Sequence, residues 1–144
     1  MKTTFPPHTF PIRVYFEDTD AGKIVYYANY LKFAERARTE FLRDLGFTHS
    51  KMMQEQGMMF VVRSCLLNCL APAYLDDVLE VRTHISKKLG YAKLELSQVV
   101  LRETQLIATL EVVLACINSK GKPVKLDSDL RRLLLLKGFL ETKP

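Results

Sequence analysis

Between residues 58 and 118 the chain offers four strand-like runs in succession, joined by segments too short to hold a crossover helix. The runs cover 59–70, 77–87, 91–102 and 105–117. Turn-like joins at Lys88-Leu89-Gly90 and around Glu103-Thr104 make these neighbours antiparallel hairpins. Ahead of them, over 28–45, the apolar period changes. Tyr30, Ala34, Ala37, Phe41 and Leu45 recur every three or four residues, while Arg36, Arg38, Glu40 and Arg43 fill other faces, which is the pattern of an amphipathic helix. Asn29 is a candidate N-cap and Gly46 a candidate C-cap. At ~1.5 Å per residue such a helix would be roughly 27 Å long, enough to cross a small sheet. A shorter helix is expected over 49–56, and another over 128–137 between Ser128 and Gly138. A strand over 10–16 precedes them all. A long helix followed by a meander is an α+β pattern, and with no repeat, linker or low-complexity stretch the 144 residues read as a single domain spanning 1–144.

Composition narrows the class further. Apolar residues make up 48% and charged residues 26%, ordinary for a globular protein and contrary to disorder. No apolar run reaches the ~18 residues of a membrane span, and residues 1–11 lack a signal peptide's apolar core, so the expected compartment is the cytoplasm, without stable membrane insertion. Cys65, Cys69 and Cys116 form an odd set with no Cys-x-x-Cys pair, which argues against a disulfide framework or zinc site and for buried thiols on strands. The net charge of +5 is concentrated over 118–144, with seven Lys or Arg against three acids. An anionic partner or a solvated face would each account for it.

The last strand bears on assembly. Leu110, Val112, Leu114 and Cys116 face one way and Val113, Ala115 and Ile117 the other, so both sides are apolar near its end. One helix covers one face only. The second cover must come from the C-terminal segment, another subunit or both, and the leucine run 133–136 is too long for a single helical face.

Chemistry begins at the acidic turn Glu17-Asp18-Thr19-Asp20-Ala21-Gly22 between the first strand and the long helix. If the strand continues, alternation puts Asp18 and Asp20 on the same side, facing the unpaired N–H groups of a helix start. A carboxylate there can attack a thioester or activate water, and the N–H groups can hold the oxyanion that forms. By spacing alone the pair could equally cap a turn. A calcium loop would want ligands where Gly22 and Asn29 stand, so no metal is expected. There is no Gly-x-Ser-x-Gly elbow, phosphate-binding loop or dinucleotide fingerprint. His8, His49 and His84 are scattered and read as surface or sheet residues, His8 within a loose start.

The run from Tyr15 through Glu17-Asp18-Thr19-Asp20-Ala21-Gly22-Lys23-Ile24-Val25-Tyr26-Tyr27-Ala28-Asn29-Tyr30-Leu31, followed by Glu35-Arg36-Ala37-Arg38, resembles the signature of the hot-dog acyl-CoA thioesterases. It is most similar to the Tol-Pal-associated branch and to 4-hydroxybenzoyl-CoA thioesterase. Further similarity lies in Phe60-Val61-Val62-Arg63 and over 71–81. The resemblance implies a long helix wrapped by a curved antiparallel sheet, a homodimer or homotetramer, and active sites at the dimer interface. It implies Asp20 as the catalytic carboxylate, acting as nucleophile or general base, and the Tyr27 backbone N–H as donor to the thioester carbonyl. Substrate-binding roles follow for Asp18, Gly22, Val25, Tyr26 and Arg63. Tyr27 stands where Tol-Pal-associated members commonly carry His; the backbone role needs only an N–H. The substrate would be an acyl-CoA, with acyl carrier protein as another possible carrier and no further cofactor. Lys87, Lys88, Lys120 and Lys122 are candidates for the coenzyme A phosphates. Two other functions compete: an acyl-binding module without turnover, and an RNA-binding domain. The second lacks the aromatic string that such sheets use to stack bases, so no nucleic-acid partner is expected.

Overall fold

The computed structural model describes residues 7–85 and 89–136. One curved antiparallel sheet has the strand order β1-β3-β4-β5-β2, from β1 (His8–Arg13), β2 (Met58–Cys69), β3 (Val78–Ile85), β4 (Lys93–Arg102) and β5 (Gln105–Asn118). Among the described residues three α-helices accompany it: α1 (Asn29–Asp44), α2 (His49–Glu55) and α3 (Ser128–Leu136). The expected α+β arrangement of a long helix and a meander is present, and β2 lies at one edge of the sheet beside β5.

Strand alternation supplies half of the core. Leu79, Val81 and Ile85 of β3, Leu94, Leu96 and Val100 of β4, and Leu110, Val112, Leu114 and Cys116 of β5 are all buried. The helical stripe supplies the rest: Tyr30, Ala34, Ala37, Phe41 and Leu45 are buried as their spacing requires, joined by Phe33 and Leu42. One polar chain runs through this apolar layer. Gln98 of β4, fully buried, donates to the Ala34 carbonyl (3.1 Å) and to Thr83 Oγ1 of β3 (3.0 Å), and accepts from Arg38 of α1 (2.9 Å).

Helix α1 ends in a two-bond motif. The Gly46 N–H reaches Arg43 O (2.9 Å) and the Phe47 N–H reaches Leu42 O (2.9 Å), with Gly46 at φ +90°. Leu45 is therefore the C-cap and Gly46 the residue beyond it. Asn29 is not the N-cap either: Ala28 holds that place, and the Asn29 side chain donates to Asp18 O (2.8 Å). At α3, Ser128 is the first helical residue, and the capping acceptor is Asp127, whose Oδ2 takes the Leu130 N–H (3.0 Å). Gly138 lies outside the described residues.

Strand β2 contains a bulge. Val62 pairs with Leu114 and Ser64 with the next residue, Val113, which leaves Arg63 as the extra residue. Phe60 and Val62 before it, and Cys65, Leu67 and Cys69 after it, lie opposite the core-facing residues of β5. Cys65 and Cys69 are exposed on this edge strand, so the expectation of buried thiols holds for Cys116 alone. His8 is not in a loose start: it opens β1 and its Nε2 meets Asp44 Oδ2 at 2.7 Å. Among the described residues no helix is long and apolar enough to cross a membrane.

Candidate active site

The first strand stops earlier than its composition suggests. Val14 exchanges backbone hydrogen bonds with Asp77 O (2.9 Å) and the Asp76 N–H (3.0 Å), after which the Tyr15 N–H is captured by Asp18 Oδ2 (2.8 Å). That bond winds Phe16–Asp18 into a 3-10 turn. The turn breaks the alternation, so the two carboxylates part: Asp18 is buried and Asp20 exposed. The Asp18 carbonyl also accepts the Tyr26 N–H (2.9 Å) and the Asn29 amide, so this residue fastens both ends of the loop.

Asp20 sits in a tight hairpin-like turn. Its N–H reaches Ile24 O (3.0 Å), its carbonyl accepts the Lys23 N–H (2.9 Å), and Thr19 bridges to Val25. Lys23 takes φ +66°. The carboxylate Oδ1 accepts the Gly22 N–H at 2.8 Å, and a Cβ on Gly22 would lie 3.1 Å from that oxygen. Glycine here lets the backbone amide close on the carboxylate. Buried Val25 anchors the turn through its N–H to Ala73 O (2.9 Å).

A cavity of about 470 Å³ opens beside Asp20. Tyr27 just before α1 and Tyr30 in its first turn, Ile24 and Val25 from the hairpin-like turn, and Cys69 and Leu70 at and just past the end of β2 line it. The chain enters α1 through tight turns, with the Asn29, Tyr30 and Leu31 N–H groups reaching the carbonyls three residues back. The Tyr27 N–H donates to no group among the described residues. A helix start with its positive end toward Asp20 and an apolar opposite wall is suited to hold a carbonyl oxygen while a carboxylate works on the carbon.

The remaining wall, Ala71 and Pro72, belongs to a braced loop. Arg102 of β4 donates to Pro72 O (3.0 Å) and to Asp77 Oδ2 (2.8 Å), and its guanidinium lies over the Tyr74 ring, 5.5 Å from the centroid. Asp77 Oδ2 also accepts the Tyr74 N–H (2.8 Å). Inside the cavity wall, burial pushes the Tyr30 phenol up to about 12, so it is a neutral hydrogen-bonding group at ordinary pH.

Of the residues expected from sequence, Asp20, Tyr27 and Val25 line one cavity, and Gly22 touches the Asp20 carboxylate. Asp18 acts on the loop from behind. Tyr26 is exposed and packs edge-on against Tyr27 (centroids 5.1 Å). Arg63, in the β2 bulge, is not part of the cavity wall, and neither are Lys120 and Lys122, exposed in the turn after β5. Lys87 and Lys88 lie outside the described residues. Sequence reasoning missed Tyr30 and Cys69 as wall residues. Tyr30 reads as one more member of the buried stripe, and Cys69 carries no periodic signal that separates an edge strand from a central one.

The chain matches the family model of the thioesterase-like superfamily over residues 14–134. It is 43% identical to the acyl-CoA thioesterase YbgC of Haemophilus influenzae over 124 residues, 85% of this chain and 90% of that protein. It is 44% identical to the acyl-CoA thioester hydrolase YbgC of Escherichia coli O6:H1 over 115 residues, 79% of this chain and 85% of the other. Among solved structures, a probable thioesterase from Bartonella henselae superposes with a TM-score of 0.81 at 40% identity, covering 84% of this chain and 99% of that one.

Proposed function

This chain belongs to the thioesterase-like superfamily, and from that premise we infer that its Asp20 cleft hydrolyses the thioester of an acyl-CoA to a free acid and coenzyme A. Thioester hydrolysis is the activity of the chain; the roles below are our reading of how it is done. The thioester carbonyl oxygen accepts from the Tyr27 N–H at the start of α1. Asp20 then delivers charge to the carbonyl carbon, by direct attack or by taking a proton from a water that attacks. The oxyanion collapses and the carbon–sulfur bond breaks; the coenzyme A sulfur leaves with the proton that Asp20 took from the water or, after direct attack, as a thiolate that water protonates. Where Asp20 attacks directly, water afterwards hydrolyses the resulting anhydride. The observation that carries this reading is one cavity holding an exposed carboxylate and an unengaged N–H at a helix start. Asp18 shapes the loop. Coenzyme A enters as part of the substrate, and the proposal uses no other cofactor and a cytoplasmic location.

A second copy of the chain completes the proposed assembly. Among the described residues β2 pairs with β5 alone, and it exposes Val62 on the same face as the core side chains of β5 and Leu66 on the other face. A twelve-residue edge strand with apolar side chains is a pairing surface, and a partner there would also wall the Asp20 cleft.

The test is Asp20→Asn, which keeps size and removes charge. A positioned base contributes ~10²- to 10⁴-fold, so kcat should fall at least about a hundredfold in a thiol-release assay while acyl-CoA affinity largely persists. Asp18→Asn should cost less. Asp20→Asn with near-parental turnover would refute the assignment, and a parent that binds acyl-CoA without releasing thiol would make the chain a binding module instead.

A further inference from the structure

The acidic turn that carries Asp20 is built on the loop joining β2 to β3, residues 70–77. One end of this loop hangs from β5, where Ile107 O accepts the Leu70 and Ala71 N–H groups at 2.8 and 3.2 Å. The other end is tied through Asp76 and Asp77 to the backbone of Val14. Its middle bears the turn. Ala73 O accepts the Val25 N–H (2.9 Å), Tyr74 bridges to Ile24, and Ile24 O accepts the Asp20 N–H (3.0 Å). The place of the Asp20 backbone therefore follows from the place of residues 73 and 74.

Arg102, the last residue of β4, grips that middle with its whole guanidinium. Nη1 donates to Pro72 O (3.0 Å) and to Asp77 Oδ2 (2.8 Å), Nη2 donates to Gln105 Oε1 (2.6 Å), and the plane lies over the Tyr74 ring. Asp77 Oδ2 passes the hold on, because it also accepts the Tyr74 N–H at 2.8 Å. Fully exposed ion pairs add little, but the side chains of this one are 24% and 22% exposed and the cation meets four residues at once. That requires a planar fork with a stacking face, which a lysine ammonium lacks. Neither Arg102 nor Asp77 lines the Asp20 cavity, so any effect on the reaction travels through the loop backbone.

We propose that Arg102, with Asp77, is a positioning residue for hydrolysis: by fixing Pro72 and Tyr74 it sets where the Asp20 carboxylate stands relative to the Tyr27 N–H. This rests on the reading of Asp20 as the hydrolytic carboxylate. A misplacement of ~1 Å between reacting groups can cost ~10²-fold in rate, so loosening the loop slows the chemical step and leaves binding of the rest of the substrate nearly as it was.

The experiment measures kcat and KM by thiol release, with whichever of acetyl-, butyryl-, octanoyl-, palmitoyl- and benzoyl-CoA the parent turns over fastest. Arg102→Met, which keeps the apolar stem and loses the fork, should lower kcat about tenfold with KM within about twofold of the parent. Arg102→Lys should recover part of the loss. Asp77→Asn still offers an oxygen to the Tyr74 N–H but no longer pairs a charge; it should act in the same direction and serves should Arg102→Met fail to fold. Combining the two should cost no more than about twofold beyond the slower single variant, since both act through one contact. On the Asp20→Asn background Arg102→Met should likewise cost less than about twofold, because the group it positions is gone. Asp20→Asn with near-parental turnover sinks the underlying reading and this inference with it. With Asp20→Asn inactive, folded Arg102→Met and Asp77→Asn proteins that keep the parental kcat, or that change KM alone, overturn the inference by itself. So does a tenfold loss repeated in full on the Asp20→Asn background.

Discussion

Two aspartates two positions apart have opposite surroundings, and one hydrogen bond makes the difference. Asp18 turns inward because its carboxylate takes the Tyr15 N–H, and the resulting turn leaves Asp20 outward with the Gly22 N–H at its Oδ1. Tyr30 gives the site a residue that can be followed by pH. Its phenol is pushed up to about 12, burial being the largest cause, against about 10 in an unfolded chain. Below pH 10 both states hold the proton. Between pH 10 and 12 the unfolded state ionises and the folded state resists, so stability tied to Tyr30 is lost as pH rises through that window. Urea denaturation at pH 9 and pH 11 should show a larger loss for the parent than for Tyr30→Phe; equal losses would dissociate the phenol from the effect.

At the scale of elements, the Schellman motif closing α1 makes a clean prediction. Gly46 has φ +90°, and nothing lies within 4 Å of where a Cβ would stand, so Gly46→Ala meets backbone strain and no clash. The expected cost is about 1–2 kcal/mol in chemical denaturation. A neutral result would mean that the turn relaxes. The long helix and the strands were legible in sequence because apolar period is a property of many residues at once, and one misplaced residue does not erase it. Caps were less so. Asn29 and Ser128 are good capping types, but Asn29 finds Asp18 O and Ser128 follows the stronger acceptor Asp127, both outcomes of neighbours that pattern does not rank. The thiols show the same limit, since Cys65 and Cys69 have the composition of core positions but sit on an edge.

For the whole molecule, the open edge of β2 predicts association. Sedimentation velocity at micromolar concentration should give a species of at least two chains, and a single-chain species would remove the interface model of the site. The acidic turn and helix start of that site were readable because they are contiguous in sequence. Its far wall, Cys69 to Pro72, meets Asp20 and Tyr27 only through the fold, from the other end of β2. The bulge at Arg63 carries a consequence for how such a gene can change. The residues that lie opposite the core-facing side of β5 change parity across it, even-numbered before it and odd-numbered after it. The strand thus has a reading phase, set by one residue whose side chain need not matter. Substitutions at Arg63 are tolerable in principle, and even its loss would leave Val62 and Ser64 opposite Leu114 and Val113 in plain alternation, whereas a residue gained or lost elsewhere in β2 would turn all the side chains on one side of it to the other face. Drift along β2 is therefore open to replacement and, away from the bulge, closed to a change of length.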